Sequence, residues 1–185
     1  MKKDKGNPLI LIAVISLALF VVNEAWKIYD QGGGEFADSA SLQKLRAVDS
    51  DLVYKDGRMS HVHGLSNLGF VGGTLDLSNN DLPNIDGLRS LSLVEGALVL
   101  SGNQFHSTAP LNGLGQVGGS LDLRDNPNLF NLDGLKNLMD LGGNLYLDDD
   151  VHLRQDFLGI PSGSYLCSEI ARTKIRGPEQ SEICR

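Results

Sequence analysis

The sequence predicts a repeat solenoid, α/β or β-rich, whose coils of about 23 residues place a parallel β-sheet on one face. Three observations predict it: a glycine-leucine phrase recurs at a fixed interval, aliphatic residues recur between the phrases, and an asparagine follows most of them. The phrases are GGTLDLSNN from Gly72, EGALVLSGN from Glu95, GGSLDLRDN from Gly118 and GGNLYLDDD from Gly142. Their first leucines are 23, 23 and 24 residues apart. A fixed period in this range is typical of coils that stack on one another.

The aliphatic residues form five columns that recur about five times between Leu42 and Leu158. The columns are Leu42, Leu65, Leu88, Leu111 and Leu135; Leu45, Leu68, Leu91, Leu114 and Leu138; Val48, Val71, Val94, Val117 and Leu141; Leu52, Leu75, Leu98, Leu121 and Leu145; and Tyr54, Leu77, Leu100, Leu123 and Leu147. The unit reads L-x-x-L-x-x-V-x-G-x-L-x-L-x-x-N-x-L-x-x-I-x-G. One coil cannot bury these side chains alone, whereas stacked coils bury them, at roughly 1.5–3 kcal/mol each.

Each part of this unit predicts a local structure. The L-x-L spacing has period two, so both leucines of a strand point to one side and the residue between them points to the other. The glycine pairs before the strand, such as Gly72-Gly73, are expected to adopt backbone angles that a Cβ would forbid, at a tight corner. The L-x-x-L spacing suits a helical or 3₁₀ turn, or a bent extended run, that returns the chain to the next coil.

Asn80, Asn103 and Asn126 occupy one further column, each five residues after its strand leucine. We expect a structural role for them. An inward asparagine at a corner both donates and accepts hydrogen bonds, so it can pair with backbone groups of adjacent coils that the turn leaves unpaired. Gly57 and Asp150 replace the asparagine at the two ends of the column, as expected for terminal repeats.

The pattern resembles leucine-rich repeats and, more narrowly, the receptor L domains of growth-factor receptors and their bacterial relatives. The likeness is carried by LSNLGFVGGTLDLSNNDLPNIDGL (65–88) and VGGSLDLRDNPNLFNLDGLKNL (117–138). The resemblance implies a parallel, right-handed β-solenoid over roughly Leu42 to Leu158. It implies no single function, because such repeats serve adhesion, sensing and scaffolding alike.

The N-terminal segment, residues 1–30, has the features of an uncleaved signal-anchor that spans a membrane. A basic start precedes an apolar stretch from Pro8 to Val22, and Trp26 and Tyr29 are placed as interfacial anchors. The alternatives are a cleaved signal peptide, because the stretch is short for a span, and a pilin-like subunit processed after Gly6. We expect a bacterial inner-membrane protein with its C-terminal domain in the periplasm, or a secreted or cell-surface protein if the signal is cleaved.

The remaining boundaries follow from composition and from the repeats. Residues 31–40 form a small-residue linker, residues 41–160 the solenoid and residues 161–185 a C-terminal cap, with a short capping helix predicted for Ser39–Val48. Cys167 and Cys184 lie in the cap, and two cysteines together with an export segment favour a disulfide. The disulfide would stabilise the domain by about 3 kcal/mol. A two-thiolate metal site is the alternative.

Charge and motifs argue against several classes of function. The formal net charge is −7, and residues 2–5 (three lysines and one aspartate) contribute +2, so the rest of the chain carries −9. That charge argues against nucleic acid or anionic lipid as a partner. His61 and His63 are expected at a solvent-facing corner on either side of an inward Val62, and Asp148–Asp150 as an acidic strand end. We predict no metal, no cofactor and no catalytic residue.

The outward face of the predicted strands is the remaining candidate for binding. Its ligand-binding residues are predicted to be Asp76, Val99, Asp122, Arg124 and Tyr146, because interface hot spots are central and favour aromatic side chains and arginine. We therefore expect a non-enzymatic recognition or scaffolding module that binds a protein or polar ligand through this face. The alternative is a structural subunit of a cell-envelope complex whose sheet face binds nothing.

Overall fold

The computed structural model describes residues 43, 45–57, 59, 61–153, 158–161, 164, 167, 175–178 and 180–184. All of them belong to one unit, Asp38–Arg185. The predicted signal-anchor (1–30) and linker (31–40) lie outside the described residues. Within the part of the chain that the structure describes, no helix is long and apolar enough to cross a membrane.

The described residues form a β-rich stack of coils with two parallel sheets. The strands are β1 (Ala47–Val48), β2 (Leu52–Val53), β3 (Phe70–Val71), β4 (Leu75–Asp76), β5 (Leu93–Val94), β6 (Leu98–Val99), β7 (Gln116–Val117), β8 (Leu121–Asp122), β9 (Asp140–Leu141), β10 (Leu145–Tyr146) and β11 (Ile175–Arg176). The first sheet has the order β1-β3-β5-β7-β9, and the second has the order β2-β4-β6-β8-β10-β11. Each coil, numbered one to five from β1, therefore contributes one strand to each sheet, and β11 of the cap extends the second.

The second sheet is the one that the L-x-L spacing predicts. Leu75 pairs in register with Leu98, Leu98 with Leu121, and Leu121 with Leu145, so equivalent leucines stack on one another through the coils. These leucines are fully buried. The predicted parallel sheet and its repeat register are thereby confirmed.

The first sheet was not predicted. Each of its strands has only two residues, of which one is buried, so the sequence shows a single valine column without the alternation that reveals a strand. The predicted helix Ser39–Val48 is wrong at its C-terminal end, because Ala47–Val48 form β1 and pair with Phe70–Val71. Pairing with the next coil satisfies the backbone there, so the local helical preference is overridden. Residues 39–42 and 44 of that prediction lie outside the described residues.

In each of the first four coils a 3₁₀ turn reaches the first leucine of the L-x-x-L segment, and a hydrogen bond from the second leucine's N–H to the first leucine's carbonyl oxygen closes the segment. The turns span His63–Leu65, Asp86–Leu88, Ala109–Gly113 and Asp133–Leu135, followed by Val151–Leu153 in the last coil. Among the described residues the α-helix α1 (Gln180–Ile183) belongs to the cap. The fold is therefore β-rich rather than α/β.

The glycine pairs before the second-sheet strands have a different role from the predicted one. None of these glycines has a φ in the left-handed region. Instead, a Cβ at Gly118 would overlap the carbonyl oxygen of Glu95, and a Cβ at Gly142 would overlap that of Gly118. Glycine is needed here because the backbone of the preceding coil passes too close for any side chain.

Alanine at Gly118 is expected to lower the free energy of unfolding by about 1–3 kcal/mol, because the added methyl group forces two coils apart. Thermal and urea unfolding of the purified domain would measure the loss. Gly115→Ala is the matched control, because a Cβ there would meet only the carbonyl oxygen of Ser92, at 3.8 Å. Equal stability of the two variants would show that the close backbone approach at Gly118 does not exist.

Candidate binding surface on the second sheet

The parallel register places one outward residue of every strand of the second sheet in a single row. The row consists of Val53, Asp76, Val99, Asp122, Tyr146 and Arg176. Neighbouring strands lie about 4.8 Å apart, so the row is roughly 24 Å long. Four of the five predicted ligand-binding residues stand in this row, and Arg124 follows Asp122 by two residues on the same face.

Arg124 connects Asp122 to Tyr146 and forms the most structured part of this face. Its Nε donates to Asp122 Oδ1 at 2.9 Å and its Nη2 donates to Asp122 Oδ2 at 2.6 Å. Its Cζ lies 4.8 Å from the centroid of the Tyr146 ring, within the range of a cation–π interaction. Asn144 Nδ2 donates to the Tyr146 hydroxyl at 3.1 Å. The guanidinium of Arg124 and the side chain of Tyr146 are therefore both held in position by contacts within the protein.

The charge state of the cluster is fixed by the same contacts. Hydrogen bonding to Asp122, together with the charge of that carboxylate, raises the pKa of Arg124 above its ordinary value. Arg124 therefore stays positively charged throughout the pH range in which proteins fold. Its side chain is half exposed, whereas that of Asp122 is only 14% exposed, so the guanidinium is the part of the ion pair that a partner meets.

The earlier coils offer a simpler part of the same face. Asp76 Oδ1 accepts hydrogen bonds from the backbone N–H and the hydroxyl of Ser78, at 3.0 and 2.6 Å, so this carboxylate oxygen is paired within its own coil. Ser78 itself is buried and is not available to a partner. Val99 lies half-buried between Asp76 and Asp122 and supplies an apolar centre to the row.

The asparagine column lies at the corner that follows the second sheet. Asn103 Nδ2 donates to the carbonyl oxygens of Leu77 and Leu100, and its Oδ1 accepts from the backbone N–H groups of Asn80 and Leu82. Asn80 and Asn126 donate to carbonyls in the equivalent positions. All three side chains are buried, so they satisfy backbone groups between coils and do not face a ligand.

Sequence reasoning missed the residue that precedes each position of the asparagine column, which Gly57 begins. Asp56, Asn79, Gly102 and Asp125 have φ values of 62°, 56°, 69° and 56°, all in the left-handed region. Glycine, asparagine and aspartate tolerate this conformation best, and only these three types occupy the column. That restriction was visible in the sequence and marks the corner.

The remaining residues singled out in the sequence are the histidine pair, His61 and His63, and the acidic run Asp148–Asp150. His61 and His63 are exposed, with ring centroids 5.4 Å apart, and Val62 between them is buried. Asp148 accepts a hydrogen bond from the backbone N–H of Asp125 at 2.8 Å. No group of three histidine, cysteine or acidic residues there is positioned to hold a metal ion.

The cap contains the predicted disulfide between Cys167 and Cys184. Next to it, the backbone N–H of Ile160 donates to the carbonyl oxygen of Ile183 at 2.8 Å, and both isoleucines are fully buried. The disulfide thus links Cys184, directly after α1, to Cys167, and the hydrogen bond from Ile160 joins α1 to the C-terminal end of the predicted solenoid.

No family model matches the chain, and no curated protein or solved structure has significant similarity to it.

Proposed function

We propose that the protein is a non-enzymatic recognition or scaffolding module that binds a protein or polar ligand through the outward face of its second sheet. The observation that carries the proposal is the cluster of Asp122, Arg124 and Tyr146. Tyrosine and arginine are the side chains most enriched at binding hot spots. Here the arginine is exposed, the tyrosine is half-buried, and both are already held in place.

A preformed cluster favours binding because a partner does not have to order it. Immobilising a flexible side chain at an interface costs about 0.5–1.5 kcal/mol. The contacts of Arg124 with Asp122 and Tyr146 order its side chain when the domain folds, so a partner does not have to immobilise it on binding. Repeat solenoids typically use such an extended sheet surface for binding.

We further propose that the fold belongs with the right-handed solenoids of the leucine-rich-repeat or receptor L-domain type. Two features support the assignment: coils of 23 or 24 residues, and an L-x-L strand followed by an inward asparagine. A solenoid of the receptor L-domain type is also compatible with display on a cell surface or in the periplasm. In this proposal the N-terminal segment anchors the domain to the membrane.

The disulfide supports placement of the domain outside the cytoplasm, because disulfides persist mainly in oxidising compartments. A periplasm-active reporter fused after the last residue is expected to be active, and a cytoplasm-active reporter in the same place inactive. Cys167 and Cys184 are expected to resist alkylation in native envelope fractions until a reductant is added. Thiols that are freely alkylated in those fractions would contradict the proposed location.

The binding surface is tested by a double variant, Arg124→Ala with Tyr146→Ala. It is expected to abolish co-purification of partners from envelope membranes, because it removes both hot-spot side chains. The matched control is Arg46→Ala with Phe70→Ala, which removes an exposed arginine and a half-buried aromatic residue on the first sheet. The control is expected to retain every partner.

Thermal unfolding of both double variants should give similar midpoints, since neither removes a fully buried side chain. Retention of all partners by the Arg124/Tyr146 variant would overturn the proposal. The structural subunit of a cell-envelope complex, with contacts through the anchor and caps, would then be the better description.

A further inference from the structure

Two histidines of the first coil, His61 and His63, stand side by side on the surface. Both side chains are exposed, and their ring centroids are 5.4 Å apart. Within the described residues neither imidazole makes a hydrogen bond or an ion pair. The pair lies at the 3₁₀ turn that begins at His63, so it is separate from the row of outward residues on the second sheet.

The backbone that carries the pair is fixed by packing. Val62, between the two histidines, is 1% exposed and belongs to the core. Its carbonyl oxygen accepts a hydrogen bond from the N–H of Leu65 at 2.9 Å. A Cβ at Gly87 of the next coil would overlap the same oxygen, so the two coils are in close contact here. Since Val62 points inward, the side chains before and after it are both presented to solvent on a rigid segment.

The first coil departs from the repeat at the position of His61. In the next three coils the equivalent residues are Asn84, Ser107 and Asn131. The side-chain oxygen of each accepts a hydrogen bond from the backbone N–H two residues later, at 3.2, 3.0 and 2.9 Å. These bonds stabilise the start of each 3₁₀ turn. In the described structure His61 makes no equivalent bond, so its ring nitrogens remain available.

The other nitrogen and sulfur donors that a transition metal prefers are isolated or already bonded. The chain has four histidines and two cysteines, and both cysteines form the disulfide. His106, in the third coil, has its ring against the edge of Phe130. The Nε2 of His152 is 3.3 Å from a cap carboxylate. The first-coil pair is therefore the place where this chain brings two imidazoles together.

The spacing of the two rings matches that of two ligands on one metal ion. A zinc ion lies about 2.0–2.1 Å from a ligating nitrogen, which is itself about 1.2 Å from its ring centre, so two imidazoles at the tetrahedral angle have ring centres about 5 Å apart. The observed separation is 5.4 Å, and the ring planes are inclined at 48°, so the rings are not stacked on each other. Rotation of an exposed imidazole about its last torsion angle is nearly free and can direct one nitrogen of each ring at the ion.

From these observations we infer that His61 and His63 bind one divalent transition-metal ion of the zinc type. Imidazole nitrogen suits zinc, whereas calcium and magnesium prefer oxygen ligands. In the described part of the chain no group of three histidine, cysteine or acidic residues forms a fuller site, so water completes the coordination. The formal net charge of −7 favours the approach of a cation.

Titration of zinc into the full chain, purified in detergent without a histidine tag, tests the inference. Isothermal titration calorimetry is expected to show saturable binding of one ion per chain. Calcium and magnesium are expected to give no comparable binding, because they bind imidazole poorly. In NMR spectra the ring C–H resonances of His61 and His63 are expected to shift with zinc, while those of His106 and His152 stay in place.

His61→Gln and His63→Gln are each expected to weaken zinc binding about tenfold or more, because two linked ligands bind far more tightly than one. The double variant is expected to abolish saturable binding. His106→Gln is the matched control, since it removes an exposed histidine that has an aromatic ring rather than a second imidazole beside it. All three side chains are exposed, so the midpoint of thermal unfolding is expected to stay unchanged.

Three results would overturn the inference: no saturable zinc binding by the wild-type chain, equal affinity of the double variant and His106→Gln, or displacement of zinc by calcium. The last result would assign the bound ion to acidic side chains instead. Neither histidine belongs to the second-sheet face, so these measurements leave the test of Arg124 and Tyr146 separate.

Discussion

Replacing Leu98 by alanine is expected to lower the free energy of unfolding by about 2–5 kcal/mol, the range for a leucine removed from a packed core. Leu98 is fully buried in the central coil and pairs in register with Leu75 on one side and Leu121 on the other. The cavity therefore opens between two neighbouring coils, and neither can collapse into it without moving its own strand. Urea denaturation followed by circular dichroism would measure the loss.

Leu121→Ala is expected to behave in the same way, because it occupies the equivalent position in the next coil. Val99→Ala is the control: it follows Leu98 on the same strand, but its side chain points outward and is half-buried. A loss below about 1 kcal/mol is expected for the control, as at tolerant surface positions. Losses that small for both leucine variants would show that the coil register is wrong.

Asn103→Ala is expected to cost about 3 kcal/mol, since each buried polar group left without a partner costs about 1–3 kcal/mol. The side chain makes hydrogen bonds to five backbone groups of two coils: the carbonyls of Leu77, Leu100 and Ser101 and the N–H groups of Asn80 and Leu82. Alanine replaces none of these bonds, and the side chain is fully buried, so water cannot enter without opening the corner. Equilibrium unfolding of the purified domain would measure the effect.

Two further asparagine variants give a graded control. Asn126→Ala should cost less than Asn103→Ala, because within the described part of the chain the Oδ1 of Asn126 has no hydrogen-bond partner while its Nδ2 donates to backbone carbonyls. Asn137→Ala should be nearly neutral, because Asn137 is exposed and water can replace its bonds to Asn112. Gln104 is a less suitable control, since it is half-buried and accepts a hydrogen bond from Asn128. If Asn137→Ala proved as damaging as Asn103→Ala, burial of the corner would not be the cause.

The sequence was sufficient to predict the second sheet because two buried leucines per strand, repeated at the coil length, define both the strand and its stacking. It also placed four of the proposed binding residues in one row, since period two assigns Asp76, Val99, Asp122 and Tyr146 to the same outward side. The first sheet could not be predicted from a single valine per coil. Its strands form because hydrogen bonds to the next coil stabilise them, as for Val71 and Val94.

The contact of Arg124 with Tyr146 could not be read from the sequence. The two residues are 22 positions apart, and whether the guanidinium reaches the ring depends on the side-chain orientation after β8, which Asp122 sets through two hydrogen bonds. The identity of these residues predicts a face suited to binding. Their tertiary contacts decide that the face is organised before a partner is present.

By itself, the sequence determined the coil length, the stacked leucine columns, the inward asparagines and the cysteine pair, because each depends on residue type at a fixed interval. Only the tertiary structure decided how closely each coil approaches the next. That distance requires glycine at Gly118, where a Cβ would overlap the carbonyl oxygen of Glu95 in the preceding coil. The physical reason is steric: the separation of two coils is set by the largest group between them, and that group is known only when the path of both backbones is known.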